Sequence, residues 1–117
     1  MKRKAQIVAS CPPQDLTRTA AAARPLEGPE AEADLAAFSK ALSHPVRVRI
    51  LRMLARKDAH MCSHIVDELP LAQSTVSEHL RILRGSGLVR ANEKGPRVAY
   101  CIEPAALKRF KALLNGV

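Results

Sequence analysis

Residues 68–89 read ELPLAQSTVSEHLRILRGSGLV, and their order of apolar, polar and breaker residues decides how the chain folds. Proline has no amide hydrogen and its ring clashes with the preceding turn, so Pro70 ends any helix that reaches it. Ile65, Val66 and Leu69 therefore belong to a short helix over 62–69. From Gln73 the apolar positions Val76, Leu80 and Leu83 recur at helical spacing, which predicts a second helix over 73–84. Gly85 and Gly87 supply its stop, and Thr75 and Glu78 have the spacing of a capping box. Only Pro70-Leu71-Ala72 separates the two helices.

Outward from this stretch the pattern stays regular. Upstream, Leu35, Phe38, Ala41 and Leu42 predict a first helix over 34–42. Ser43 offers an N-cap and Pro45 a first-turn proline for a helix from His44 to about Arg56. Its inward set is Val46, Ile50, Leu51 and Leu54, while Arg47, Arg49, Arg52 and Arg56 give it a strongly basic outer face. Downstream, residues 88–92 and 97–102 alternate as short strands around the turn Glu93-Lys94-Gly95-Pro96, which predicts a hairpin. Pro104 then opens a last amphipathic helix carrying Leu107, Phe110, Leu113 and Leu114. The order is α-α-α-α-β-β-α, mainly helical with a β-hairpin wing, which is the winged helix-turn-helix arrangement.

Residues 1–33 read as a flexible tail, with Pro12, Pro13, Pro25, Pro29 and the run Ala20–Ala23 but no periodicity. Residues 34–117 form the one folded domain that 117 residues allow. The chain carries a formal charge of +8. Five cations meet four anions in the tail, so +7 lies in the folded part. A surface so biased attracts polyanions. Aromatic residues are only 3% and tryptophan is absent, so the core rests on aliphatic side chains. No apolar run approaches the roughly 20 residues of a membrane span. Lys2, Arg3 and Lys4 are not followed by a signal-type apolar stretch, so the expected location is cytoplasmic. There is no phosphate-cradling glycine loop, no nucleophile with a base at recognisable spacing and no paired carboxylates, which argues against an enzyme.

Gln73, Ser74, Thr75, Ser77, Glu78 and His79 open the second helix of the pair with hydrogen-bonding side chains suited to base edges in a major groove. Arg81 and Arg84 on that helix, with Arg90, Lys94 and Arg97 on the wing, are placed to hold phosphates. Double-stranded DNA is the expected partner. An RNA- or protein-binding module of the same architecture is the alternative from another class.

The segments ALSHPVRVRILRML, ELPLAQSTVSEHLRILRGSGLV and EKGPRVAYCI, in this order and spacing over 35–114, resemble the ArsR/SmtB repressors. The resemblance implies a homodimer formed by the first and last helices, bound to an imperfect palindromic operator and released by an inducer. A domain this small, with an amphipathic last helix left uncovered, points to a dimer independently. Glu78 departs from the family, whose members commonly carry Gln, His or Arg there; a carboxylate repels phosphate, and it can instead accept from a cytosine amine or pair with Arg81 or Arg84.

Three cysteines do not make a disulfide framework. Cys62 opens the third helix, where the helix dipole and Lys57 lower the pKa of a thiol. Arsenic and cadmium sensors similar to this chain place Cys-x-Cys here, whereas Cys62-Ser63-His64 keeps one thiol and substitutes an imidazole. Trivalent arsenic takes sulfur ligands, so Cys101 on the second wing strand and Cys11 on the tail are the further ligand candidates, with His64 a fourth. No obligatory cofactor is expected; As(III) or another thiophilic metal ion is the expected inducer. The alternative is a thiol switch in which Cys62 and Cys101 are oxidised or persulfidated. A zinc site of the kind relatives build on the last helix is excluded, because residues 103–117 contain neither His nor Asp. His44 reads as a capping residue and His60 as a loop residue.

Overall fold

The computed structural model describes residues 24–56, 60–93 and 98–117, with the side chains of residues 60–62 outside that description. Helix α1 spans Pro29–Ala41. It begins five residues before the expected Asp34, because Pro29 sits in its first turn, where a missing amide hydrogen costs nothing, and Glu30 and Glu32 oppose the positive end of the helix dipole. Pro29, expected in the tail, is thus a helix starter. Gly28 precedes it at φ 102°, a conformation that glycine reaches freely.

Helix α2 spans Pro45–Arg56 and buries Ile50, Leu51, Met53 and Leu54. His44 Nδ1 accepts the Val46 amide at 3.1 Å and so caps the helix, as read from the sequence. Ser43, the expected cap, instead donates its hydroxyl to the Lys40 carbonyl at 2.8 Å. A two-residue strand β1 (His60–Met61) and helix α3 (Cys62–Glu68) follow, then α4 (Gln73–Ser86), β2 (Val89–Asn92), β3 (Ala99–Ile102) and α5 (Pro104–Asn115). Two residues carry no periodicity, so β1 was beyond the reach of pattern reading.

The hairpin pairs antiparallel with Val89 opposite Ile102 and Arg90 opposite Cys101. Strand β1 adds to the free edge of β3, His60 opposite Tyr100, giving the order β1-β3-β2. Ile50, Leu54, Ile65, Val76, Leu80, Leu83, Leu88 and Val89 are fully buried where α2, α3 and α4 meet the sheet. Each such side chain stabilises the fold by about 1.5–3 kcal/mol.

At the other side α1 and α5 pack through Phe38 and Phe110, whose rings lie 5.5 Å apart and tilted by 55°. Arg109 is the buried polar member of α5, bridging to Asp34 of α1 and to the Arg24 and Pro25 carbonyls. Leu107 and Phe110 are half-buried and Leu114 is 49% exposed, so α5 keeps an uncovered apolar strip. Among the described residues no helix is long and apolar enough to cross a membrane.

Candidate nucleic-acid interface

Helix α4 divides into two faces at the spacing read from its sequence. Val76, His79, Leu80 and Leu83 are buried, and Gln73, Ser74, Thr75, Ser77, Glu78, Arg81 and Arg84 are exposed. The expected capping box does not form: Ala72 is the N-cap and makes no side-chain cap, which leaves Thr75 inside the first turn. Its hydroxyl and those of Ser74 and Ser77 thus stand on a helix start whose first amides have no intrahelical partner. Such a start favours negative charge. The helix runs through Gly85 and ends at Gly87, which takes the left-handed conformation at φ 90°.

His79 differs from its expected groove-lining role. It is 8% exposed and turns toward α2, where Nδ1 lies 3.2 Å from an Arg47 guanidinium nitrogen and the ring is 4.6 Å from that of His44. Arg47 in turn donates to the Ala41 carbonyl at 2.6 Å and is half-buried rather than outward. Burial first, then the neighbouring His44 and Arg47 charges, push the His79 imidazole below its ordinary pKa. A side chain at the rim of the apolar stripe faces either way, and only the packing against α2 decides.

Both exposed arginines of α4 meet carboxylates. Arg81 grips Glu78 with two bonds, Nε to Oε1 at 3.0 Å and a terminal nitrogen to Oε2 at 2.5 Å. The hydrogen bond from Arg81 holds the Glu78 carboxyl below the usual range, and the same contact raises the guanidinium. Pairing with Arg81 was one of the roles expected of Glu78. Arg84 reaches Glu93 at the end of β2, 2.8 Å away, a contact no local spacing signals. On the wing, Arg90 lies 3.7 Å from the buried Glu103. Lys94 and Arg97 fall outside the described residues.

The thiol candidates are only partly placed. Cys101 is 1% exposed and disulfide-bonded. Cys62 opens α3 directly after β1, the strand that borders Cys101's own strand. Its side chain, and all of Cys11, lie outside the described residues. His64 is half-buried on α3. Among the described residues no three metal-ligating side chains cluster.

Residues 42–91 match the family described as a helix-turn-helix domain. The transcriptional repressor PagR of Bacillus anthracis is 36% identical over 84 residues, covering 72% of this chain and 84% of its own length. Its crystal structure superposes with a TM-score of 0.62 over 74% of this chain and 98% of PagR, at 32% identity. An ArsR-like transcriptional regulator from a Rhodococcus species gives 0.68 at 28% identity, over 75% of this chain and 82% of that one. A homodimeric winged helix-turn-helix DNA-binding domain from Mycobacterium bovis, described as a possible ArsR-family regulator, gives 0.61 at 30%, over 72% and 77%. A polar-faced helix beside a two-stranded wing, in a chain this similar to such regulators, places the protein in the ArsR/SmtB family of DNA-binding transcriptional regulators.

Proposed function

We propose that the protein is a homodimeric repressor that holds an imperfect palindromic operator through α4 and the wing and releases it when its cysteine thiols change state. The observation that carries the DNA-binding half is the division of α4: a buried stripe fixes the helix while Gln73, Ser74, Thr75 and Ser77 stay exposed at its start. In this reading those four, with Glu78, contact base edges, and Arg81, Arg84, Lys94 and Arg97 hold phosphates. The homodimeric M. bovis neighbour and the uncovered strip on α5 support pairing through α1 and α5. Two half-sites then lie one duplex turn apart, about 34 Å.

The disulfide at Cys101 favours thiol oxidation as the releasing event. Two thiols give up two electrons and two protons to an oxidant such as tetrathionate, which leaves as two thiosulfates. Closing that bond in the strand next to β1 and α3 moves the element joined to α4 by four residues. A loss of about 1.4 kcal/mol lowers operator affinity tenfold. Trivalent arsenic captured by Cys62, Cys101 and Cys11 is the second reading, carried by the chemistry of the three thiols.

The test is anisotropy of duplexes enriched from a random pool with reduced protein, read before and after tetrathionate or arsenite. Oxidation is expected to release the duplex and dithiothreitol to restore binding, with Cys101→Ser locked in the binding state. A Cys101→Ser protein that still responds to tetrathionate removes the switch. Failure of the reduced protein to prefer duplex DNA over RNA removes the repressor reading itself.

A further inference from the structure

We infer that the outer face of α2 is a second DNA-binding surface, which takes the phosphates of a duplex other than the one held on α4. Arg49, Arg52 and Arg56 are all exposed. At 100° per residue they fall within an arc of about 60°, along some 10 Å of helix. The described residues that share this face are Pro45, Val48 and Ala55, so no acid stands among them.

The state of these three differs from that of the other described arginines. Arg24, Arg81, Arg84, Arg90 and Arg109 each meet a carboxylate. Arg47 is held by His79 and the Ala41 carbonyl. Among the described residues Arg49, Arg52 and Arg56 have no ion-pair or hydrogen-bond partner. Among the described arginines, those without a carboxylate partner thus lie on α2 rather than on the helix that reads as the DNA reader. Three like charges repel one another, and a solvated polyanion relieves that repulsion with release of its counterions.

The direction of the face separates this surface from α4. Helices α2 and α4 turn their buried sides toward each other, and Arg47 and His79 meet between them. The arginine stripe therefore looks away from α4, and a duplex lying on α4 does not pass over it.

Duplex DNA is favoured over other polyanions on composition. Binding single strands calls for aromatic platforms under the bases. The chain has two phenylalanines and one tyrosine, and all three are buried or half-buried. An acidic protein partner calls for apolar anchors at the centre of its contact. Val48, at the edge of exposure, and Ala55 do not supply them. Arginine forks on a rigid helix suit phosphate oxygens.

The experiment loads full-length reduced protein onto an immobilised 40-base-pair random-sequence duplex, washes, and adds a fluorescent duplex of the same kind. The protein is expected to capture the second duplex, with capture falling about 40-fold between 50 and 200 mM salt, as three phosphate contacts per face require. The triple variant Arg49→Gln, Arg52→Gln, Arg56→Gln keeps a good helix former at each exposed site, and its thermal melt is recorded alongside. It is expected to load as the wild type does and to capture nothing. Undiminished capture by the triple variant overturns the inference. So does a loss of loading by that variant, because the stripe then serves the first duplex, and so does displacement of the captured duplex by polyglutamate ahead of unlabelled DNA. The inference rests on α4 as the primary surface, which Arg81→Gln with Arg84→Gln checks separately: loading by that double variant equal to wild type removes the α4 reading and leaves the result on α2 standing.

Discussion

Glu78 and Arg81 neutralise each other on the face that is proposed to meet DNA. Because Arg81 holds the carboxyl below its ordinary range, the pair is intact at neutral pH and is lost only as the pH falls through the lowered value. Phosphate must compete with Glu78 for that guanidinium. Glu78→Gln is therefore expected to strengthen duplex binding several-fold and to steepen the log–log salt dependence of the dimer by about 1.8, one added phosphate contact on each protomer. Anisotropy titrations from 50 to 300 mM salt measure both, and an unchanged slope means that Arg81 does not reach the backbone. His79 has the same sign from a different cause, burial rather than an attractive partner. Its folded pKa is depressed, so above the ordinary value of 6.5 neither state holds the proton and stability is complete. Below 6.5 the unfolded chain takes up the proton first, and stability declines until the folded pKa is passed. Thermal melts from pH 7.5 to 5 are expected to fall in this window, with His79→Gln flattening that part of the profile by supplying a neutral acceptor to Arg47. A profile identical to wild type assigns the decline to other groups.

At the scale of the element, α4 shows how two glycines two residues apart do different work. Gly85 lies within the helix with nothing within 4 Å of an added Cβ, whereas Gly87 is held at φ +90°. Gly85→Ala is expected to stabilise by about 0.5–1 kcal/mol, since a helical glycine loses more backbone freedom than alanine. Gly87→Ala is expected to cost about 1–2 kcal/mol, because a left-handed L-residue strains against its own carbonyl. Urea unfolding of the pair measures the contrast, and equal signs place the helix end elsewhere. The sequence showed both glycines as stops because a breaker has no visible φ. It showed α4 itself, the hairpin and the α3–α4 turn clearly, since Val76, Leu80 and Leu83 keep one period and Pro70 allows one interpretation. It could not show that Glu93 folds back on Arg84 or that Arg47 turns inward, because those contacts join elements whose relative placement no local period encodes.

Across the whole molecule, the face where a second protomer is proposed to sit is organised by one side chain from the last helix. Arg109 is 4% exposed. Its Nε and one terminal nitrogen each lie 3.1 Å from Asp34 Oδ2 on α1, and its terminal nitrogens donate to the Arg24 carbonyl at 3.2 Å and the Pro25 carbonyl at 3.0 Å. One guanidinium thus joins α5, α1 and the segment leading into α1, over separations of 75 to 85 residues that no pattern reading reaches. The apolar residues of α5 carry the periodicity that points to a dimer face, whereas Arg109 gives no such signal because arginines are usually solvated. Alanine at 109 strands a partly buried carboxylate and two carbonyls. Breaking a fully buried pair costs about 3–5 kcal/mol, and the partial exposure of Asp34 lowers the expectation to about 2–3 kcal/mol. Arg109→Lys keeps the charge but loses the planar fork that serves three acceptors, so it is expected to fall between wild type and alanine. If α1 and α5 also carry the dimer contact, the same substitutions loosen it. Sedimentation velocity on serial dilutions should show dimers dissociating at higher protomer concentration in the order wild type, Arg109→Lys, Arg109→Ala. Urea midpoints that shift in this order while dimer dissociation does not would confine the guanidinium to holding the subunit together and move the protomer contact to another face.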